Sequence, residues 1–256
     1  MYQLRLHLGI NALLLIGLLI SQSPASATEA AVDFANQAAS SRHRDQSNGT
    51  ITPIPTIEAY YLDQQEIVLD GVLDDAAWGQ ADTGWGFRQA DPVRFGKASV
   101  PTTFKIAYDD DAIYFAVACW EDDMSNVRSY LSRRDQIEAS DMVSIYIDPY
   151  HDHTTGYNFR VNPAGVQQDA YVYDNGNRDN DWNAVWDSEV SSDQKGWYVE
   201  IRVPFSAIRF KPDDDMTWGL QVYRWLHGRG EDTGWVNWDR DSNGFVNRFG
   251  TLTGLQ

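Results

Sequence analysis

From residue 56 onward the sequence alternates. Runs of five to nine residues switch between Val, Ile, Tyr, Phe or Trp and polar groups. Turn-forming clusters separate them: Asp70-Gly71, Asp109-Asp110-Asp111, Asn162-Pro163-Ala164-Gly165, Asp174-Asn175-Gly176 and Lys195-Gly196. A period of two sends successive side chains to opposite faces of a strand. Evenly spaced runs of this kind, with almost no 3.6-residue periodicity, predict an all-β antiparallel sandwich or barrel. Short helices are expected only over residues 74–80, 124–131 and 206–209.

The phase of each run says which face it offers the core. In "AIYFAVACW" (112–120) both phases are apolar, which predicts a central strand buried on two sides. Other runs are two-faced. "DMVSIYID" sends Val143, Ile145 and Ile147 inward, with Ser144, Tyr146 and Asp148 opposite. "GYNFRVN" sends Tyr157, Phe159 and Val161 inward, with Asn158, Arg160 and Asn162 opposite. "WGLQVYRWLH" separates Trp218, Leu220 and Val222 from Gln221, Tyr223, Trp225 and His227. If these three runs are sheet neighbours, their polar-aromatic phases form one surface. Such a surface suits a sugar, whose C–H faces lie on aromatic rings and whose hydroxyls pair with amides and guanidiniums. The solvated side of an ordinary antiparallel sheet has a similar composition, and alternation alone does not separate the two.

The first 55 residues read differently. Arg5, the apolar run "LGINALLLIGLLI" and the small residues Ala25 and Ala27 predict a signal peptide over residues 1–27. Residues 28–55 are small, polar and aperiodic, as in a flexible leader. The folded domain is expected over 56–256, in a protein exported to the periplasm, cell envelope or exterior. A formal net charge of −17 repels phosphate backbones and anionic lipid, which excludes nucleic acid as a partner. The single cysteine, Cys119, lies within the apolar central run. It is expected to be a small buried hydrophobe, and one cysteine leaves no internal disulfide.

Seven segments stand in a fixed order: "IVLDGVLDDAAW" (67–78), "YDDDAIYFAVACWEDD" (108–123), "RRDQIEASDMVSIYIDPYHD" (133–152), "GYNFRVNPAGVQQD" (156–169), "WNAVWDS" (182–188), "GWYVEIRVPFSAIRF" (196–210) and "RFGTLTGL" (248–255). Together they resemble the family 9 carbohydrate-binding module, above all the variant that precedes an outer-membrane-type β-barrel in large bacterial surface proteins. Those relatives continue into the barrel. This chain ends at Gln256, as a free-standing module or a shortened one.

The resemblance implies a β-sandwich of jelly-roll or immunoglobulin-like type, with Trp78 packed as a structural plug at the sandwich end. It implies a glycan ligand contacted by Arg160 and Asn162 of "FRVN", with aromatic support from Tyr146, Tyr223, Trp225 or Phe245. Family members clamp the sugar between two aromatics. One of those positions holds Glu138, Ala139 and Ser140 here, and Phe245 is the nearest match to the other. The implied function is a non-catalytic carbohydrate-binding domain tied to polysaccharide breakdown or uptake. The alternatives are an envelope protein-interaction or assembly module that has lost sugar binding, and a module attached to a glycoside hydrolase.

Several further motifs carry chemistry of their own. "DRDSNG" spaces Asp239, Asp241 and Asn243 as candidate ligands of a structural calcium, but Gly250 stands where a calcium loop needs its bidentate Glu. "NGNRDNDW" (175–182) is a weaker version of the same pattern. "HDH" offers His151 and His153 without an obvious third ligand. No nucleophile–base pair or phosphate-type glycine loop is present, and catalytic residues are not expected.

Overall fold

The computed structural model describes residues 54–256, apart from Glu138, 214–215 and 239–243. In chain order the elements are β1 (Thr56–Glu58), β2 (Tyr60–Tyr61), α1 (Ala76–Gln80), β3 (Arg88–Asp91), β4 (Thr102–Tyr108), β5 (Ala112–Trp120), β6 (Met142–Asp148), β7 (Gly156–Val161), β8 (Gln167–Tyr173), β9 (Asn177–Asp179), β10 (Asp187–Ser192), β11 (Gly196–Pro204), β12 (Met216–Leu226), β13 (Glu231–Gly234) and β14 (Gly250–Leu255). Two sheets form. The larger has nine strands, with the path β1-β14-β12-β6-β7-β8-β9 and with β13 and β3 continuing beside β12; the smaller runs β10-β11-β5-β4-β2. This is the expected β-sandwich.

The inner faces carry the residues that alternation assigned to them. Ile113, Phe115, Val117 and Cys119 of β5 meet Val143, Ile145 and Ile147 of β6, Phe159 and Val161 of β7, and Trp218, Leu220 and Val222 of β12 in one core. Burial of the Cys119 thiol raises its pKa to about 12, which makes it inert, as a core hydrophobe should be. One end of the sandwich is tied by Arg224 of β12. Its guanidinium reaches across to the Pro101 carbonyl (3.1 Å), the Thr102 hydroxyl (3.2 Å) and the Trp120 carbonyl (3.1 Å), and pairs with Glu121.

Two expectations need correcting at the edges. The chain enters by parallel pairings, β1 beside β14 and β2 beside β4, so the sheets are not purely antiparallel. Of the three expected helices, only α1 is an α-helix. Residues 124–131 give a 3₁₀ turn over Met124–Asn126, and 206–209 become one over Phe205–Ala207. Segments this short have too few hydrogen bonds to offset helix nucleation without packing support.

Trp78 is also placed differently. It packs on the outer face of the smaller sheet, against Ala107, Tyr114, Ala116, Ala118 and Tyr198, rather than at the sandwich end. The second apolar phase of β5 exists to receive it. Register explains the fit: Lys105 and Glu200 lie on either side of Ala116 across β4, β5 and β11, and the small Ala116 leaves the space that the indole fills. The Trp78 indole donates to Glu200 Oε1 (2.8 Å), while the Asp70 and Gly71 N–H groups donate to Oε2 (3.0 and 2.9 Å). Lys105 Nζ donates to the Trp78 carbonyl (2.5 Å). The DGVLDDAAW stretch is thus a latch closed on one buried carboxylate. Gly71 is required there twice over: its φ is +78°, and a Cβ would sit 2.7 Å from the Val190 carbonyl carbon.

Replacing Gly71 with Ala should cost on the order of 2 kcal/mol or more, measured by chemical denaturation, because both the backbone conformation and the space forbid a methyl. An unchanged midpoint would show that the latch contributes nothing. Burial raises the Glu200 carboxyl from 4.5 to about 7 despite its three N–H donors. The unfolded chain therefore ionises first, so this group's contribution is fully present below pH 4.5 and falls as pH rises to about 7. The loss amounts to about 3 kcal/mol at 1.36 kcal/mol per unit. In the Glu200→Gln variant this component of the stability–pH curve should vanish; identical curves would contradict it.

Candidate functional site

The outer face of the larger sheet carries a concave pocket of about 390 Å³. Its floor follows from register. Tyr223 of β12 lies opposite Ser144 of β6, which lies opposite Arg160 of β7, which lies opposite Gln168 of β8. One step along, Trp225 faces Met142. The three two-faced runs are therefore sheet neighbours, and their outward phases do form one surface. Tyr146, Arg160, Tyr223, Trp225 and Phe245 all line the pocket.

Asn162 does not. It is 0% exposed, its amide N–H₂ donates to the Tyr130 carbonyl (2.8 Å) and Ser140 Oγ (3.2 Å), and its Oδ1 accepts from the Ala164 and Val166 N–H groups. Its oxygen is spent on the β7–β8 turn and its amide on the segment that leads into β6, so it acts as a scaffold. Alternation placed it on the correct face, but the strand ends one residue earlier and the side chain folds into the turn. Gln221 is similarly occupied, exchanging hydrogen bonds with the Val236 N–H (2.9 Å) and carbonyl (3.0 Å). Ser140, in the segment where the resemblance implies one of the clamp aromatics, is buried and donates to the Arg128 carbonyl (2.8 Å).

The centre of the site is a phenol between two guanidiniums. Tyr146 Oη accepts from Arg160 (3.0 Å) and from Arg178 of β9 (3.1 Å). Burial pushes the Tyr146 phenol up, yet the two cations outweigh it and bring the group below its ordinary value. Arg160 is aimed by Gln168, whose Oε1 accepts at 3.1 Å and whose amide donates to the Asp135 carbonyl (3.1 Å). Tyr146 and Arg178 stand three strands apart, about 14 Å on a flat sheet. Two long side chains and the hydrogen bond between them are enough to bridge that distance, and together they wall one side of the pocket.

The other wall is aromatic. Phe245 meets Tyr146 edge-on (4.9 Å between centroids), Trp238 (5.0 Å) and Phe249 (5.1 Å), and Trp238 meets Tyr223 (6.5 Å). Phe245 is therefore part of a packed cluster. Trp225, 39% exposed, is the lining aromatic with the most open face.

Arg178, Asn175 and Trp238 were not foreseen as site residues. The stretch holding Asn175 and Arg178 read as a weak calcium-loop pattern. It is a hairpin in which Asp174, Asn175 and Gly176 all take positive φ and fold β9 back on β8, with Arg178 opposite Val172. The Asp-Asn-Gly turn was the available signal, and a three-residue strand was too short to follow from it. Asp239, Asp241 and Asn243, the candidate calcium ligands, lie outside the described residues. His151 and His153 sit 4.4 Å apart on the β6–β7 turn, and the described residues contain no group of three or more metal-ligating side chains.

The sequence profile described as "Carbohydrate family 9 binding domain-like" matches residues 69–253. No curated protein sequence matches the chain. Among solved structures, the chain is similar to a family 9 carbohydrate-binding module from Caldicellulosiruptor kristjanssonii. The complex of that module with glucose matches at 19% identity over 77% of this chain and 94% of that one, with a TM-score of 0.53. Its complex with cellotriose matches at 17% identity over 77% and 92%, with a TM-score of 0.54. At these identities the structures establish a shared fold, while the profile spans most of the domain. The chain belongs to the family 9 carbohydrate-binding domain-like family.

Proposed function

We propose that this protein is a non-catalytic carbohydrate-binding domain that holds a glycan in the outer-face pocket. The observation that carries the reading is the convergence of Arg160, Arg178 and the open face of Trp225 on one concavity. Its size, about 390 Å³, falls within the range of small-ligand sites. An aromatic face for the ring and directional donors for the hydroxyls are what a pyranose requires. That a family 9 module of the same fold is found with glucose and with cellotriose supports a sugar as the ligand.

A binding role rather than hydrolysis fits the lining. Glycoside hydrolysis uses two carboxylates across the scissile bond, and among the described residues Asp232 is the acidic side chain in the pocket. We place the protein outside the cytoplasm, in the periplasm, envelope or exterior, where it serves polysaccharide breakdown or uptake. The basic, apolar and small-residue segments over 1–27 support export. The order of the seven sequence segments, which resembles the leading domain of barrel-bearing surface proteins, is the ground for placing it beside an outer-membrane partner.

A second reading, an envelope assembly module, draws on a separate surface. Leu131 and Val185 are each 84% exposed, and they flank the segments joined by the hydrogen bond from Arg134 to the Ala184 carbonyl. Flat titrations against a panel of mono- and oligosaccharides, with co-purification of an envelope protein, would favour it.

Calorimetric titration with cellotriose and a glycan array test the sugar reading. Trp225→Ala should weaken binding by about 1–2 kcal/mol, roughly five- to thirty-fold in Kd, through loss of the stacking face. Arg160→Ala should weaken it at least as much, because charge-assisted hydrogen bonds are worth about 1.5–3 kcal/mol. Sugar binding that survives both substitutions unchanged would remove this pocket as the site.

A further inference from the structure

Resting on the carbohydrate reading, we infer that the pocket selects acidic sugars, with Arg178 as the residue that receives a uronic acid carboxylate. The distribution of charge is the starting point. The chain has 37 acidic against 20 basic side chains, and four of its arginines are held in ion pairs: Arg134 with Asp169, Arg202 with Asp187, Arg224 and Arg229 with Glu121. Arg160 and Arg178 differ. Both converge on a phenol, and neither has a carboxylate within ion-pair distance among the described residues. Two positive charges thus share one acceptor that is formally neutral.

Several buried arginine nitrogens lack a protein partner, and in Arg134, Arg160, Arg224 and Arg229 the orphan is the Nε atom. In Arg178 it is a terminal nitrogen, Nη2, on a side chain that lines the pocket. One terminal nitrogen is held by Tyr146 and the other is buried without a protein partner, so the guanidinium keeps donor capacity that a carboxylate entering the pocket beside it can use. Burial lowers the Arg178 pKa from its ordinary value, so the position gains from an added negative charge.

The pocket's own carboxylate does not fill this role. Asp232 is on β13, separated from Arg160 on β7 by β12 and β6, about 14 Å at the usual strand spacing. The cationic end of the site therefore lies at β7 and β9, and a sugar lying across Tyr223 and Trp225 can turn a carboxylate toward it. The overall negative charge opposes approach of an anion from a distance, but salt limits that repulsion to about 8–10 Å. A single carboxylate is also a far smaller anion than the polyphosphate backbone that the net charge excludes.

The test compares trigalacturonate, its fully methyl-esterified form and cellotriose by calorimetry at 50 and 300 mM NaCl on the full domain. Trigalacturonate should bind about tenfold or more tightly than its ester, and the ratio should shrink at the higher salt. In Arg178→Gln the ratio of acid to ester should fall toward one. In Arg178→Lys, which keeps the charge but loses the fork, part of the preference should remain. Near-UV circular dichroism confirms that each variant keeps its packing. Acid and ester binding equally, or a preference untouched by Arg178→Gln, would overturn the acidic-sugar assignment while leaving neutral sugar binding in place. If none of the three ligands binds, the carbohydrate reading itself fails and this inference with it.

Discussion

Packing one sheet on the other consumes one face of every central strand, and the two faces left over meet opposite fates. On the smaller sheet the outer face is sealed: the DGVLDDAAW segment lays Trp78 over Ala116 and closes it with Glu200 and Lys105. On the larger sheet the outer face stays open, and strand register gathers Tyr146, Arg160, Arg178 and Trp225 around a concavity. Because the side-chain period is two, a one-residue slip of β6, β7 or β12 would bury the guanidinium and expose the core. The apolar interior therefore fixes the site's register without touching the ligand.

Tyr146 explains how two guanidiniums stand close together without a carboxylate between them. A phenol is a dipole with one accepting oxygen, and burial against Phe245 and Phe249 fixes its position. It orders Arg160 and Arg178 without neutralising them. A carboxylate at that place would have cancelled the charge that the pocket offers a ligand. Preorganisation of this kind reduces the conformational cost of binding, since neither long side chain has to be ordered when the sugar arrives.

Much of this was legible in the sequence, and the reasons are specific. Where a run is long and its phases differ, as in β6, β7 and β12, the period alone named the inward residues, and strand adjacency then assembled Tyr146, Arg160, Tyr223 and Trp225. Asn162 shows where this stops, because a residue at a strand end is governed by its turn, and alternation says nothing about turns. Arg178 shows a second limit. Its strand is three residues long, and its place in the pocket depends on pairing with β8 and on a contact with Tyr146 three strands away, which no local window contains. The latch on Glu200 shows a third: the carboxylate and the indole are 122 residues apart, and only the register across Ala116 brings them together.

The most direct measurement is residue-resolved: heteronuclear NMR spectra of the domain recorded while cellotriose or trigalacturonate is added. The account predicts that shifts concentrate on Ser144, Tyr146, Arg160, Arg178 and the Trp225 indole, while the Trp78 indole and the sealed face of the smaller sheet stay still. Shifts confined to another surface, or saturable binding that leaves the Arg160 and Trp225 signals unmoved, would contradict it.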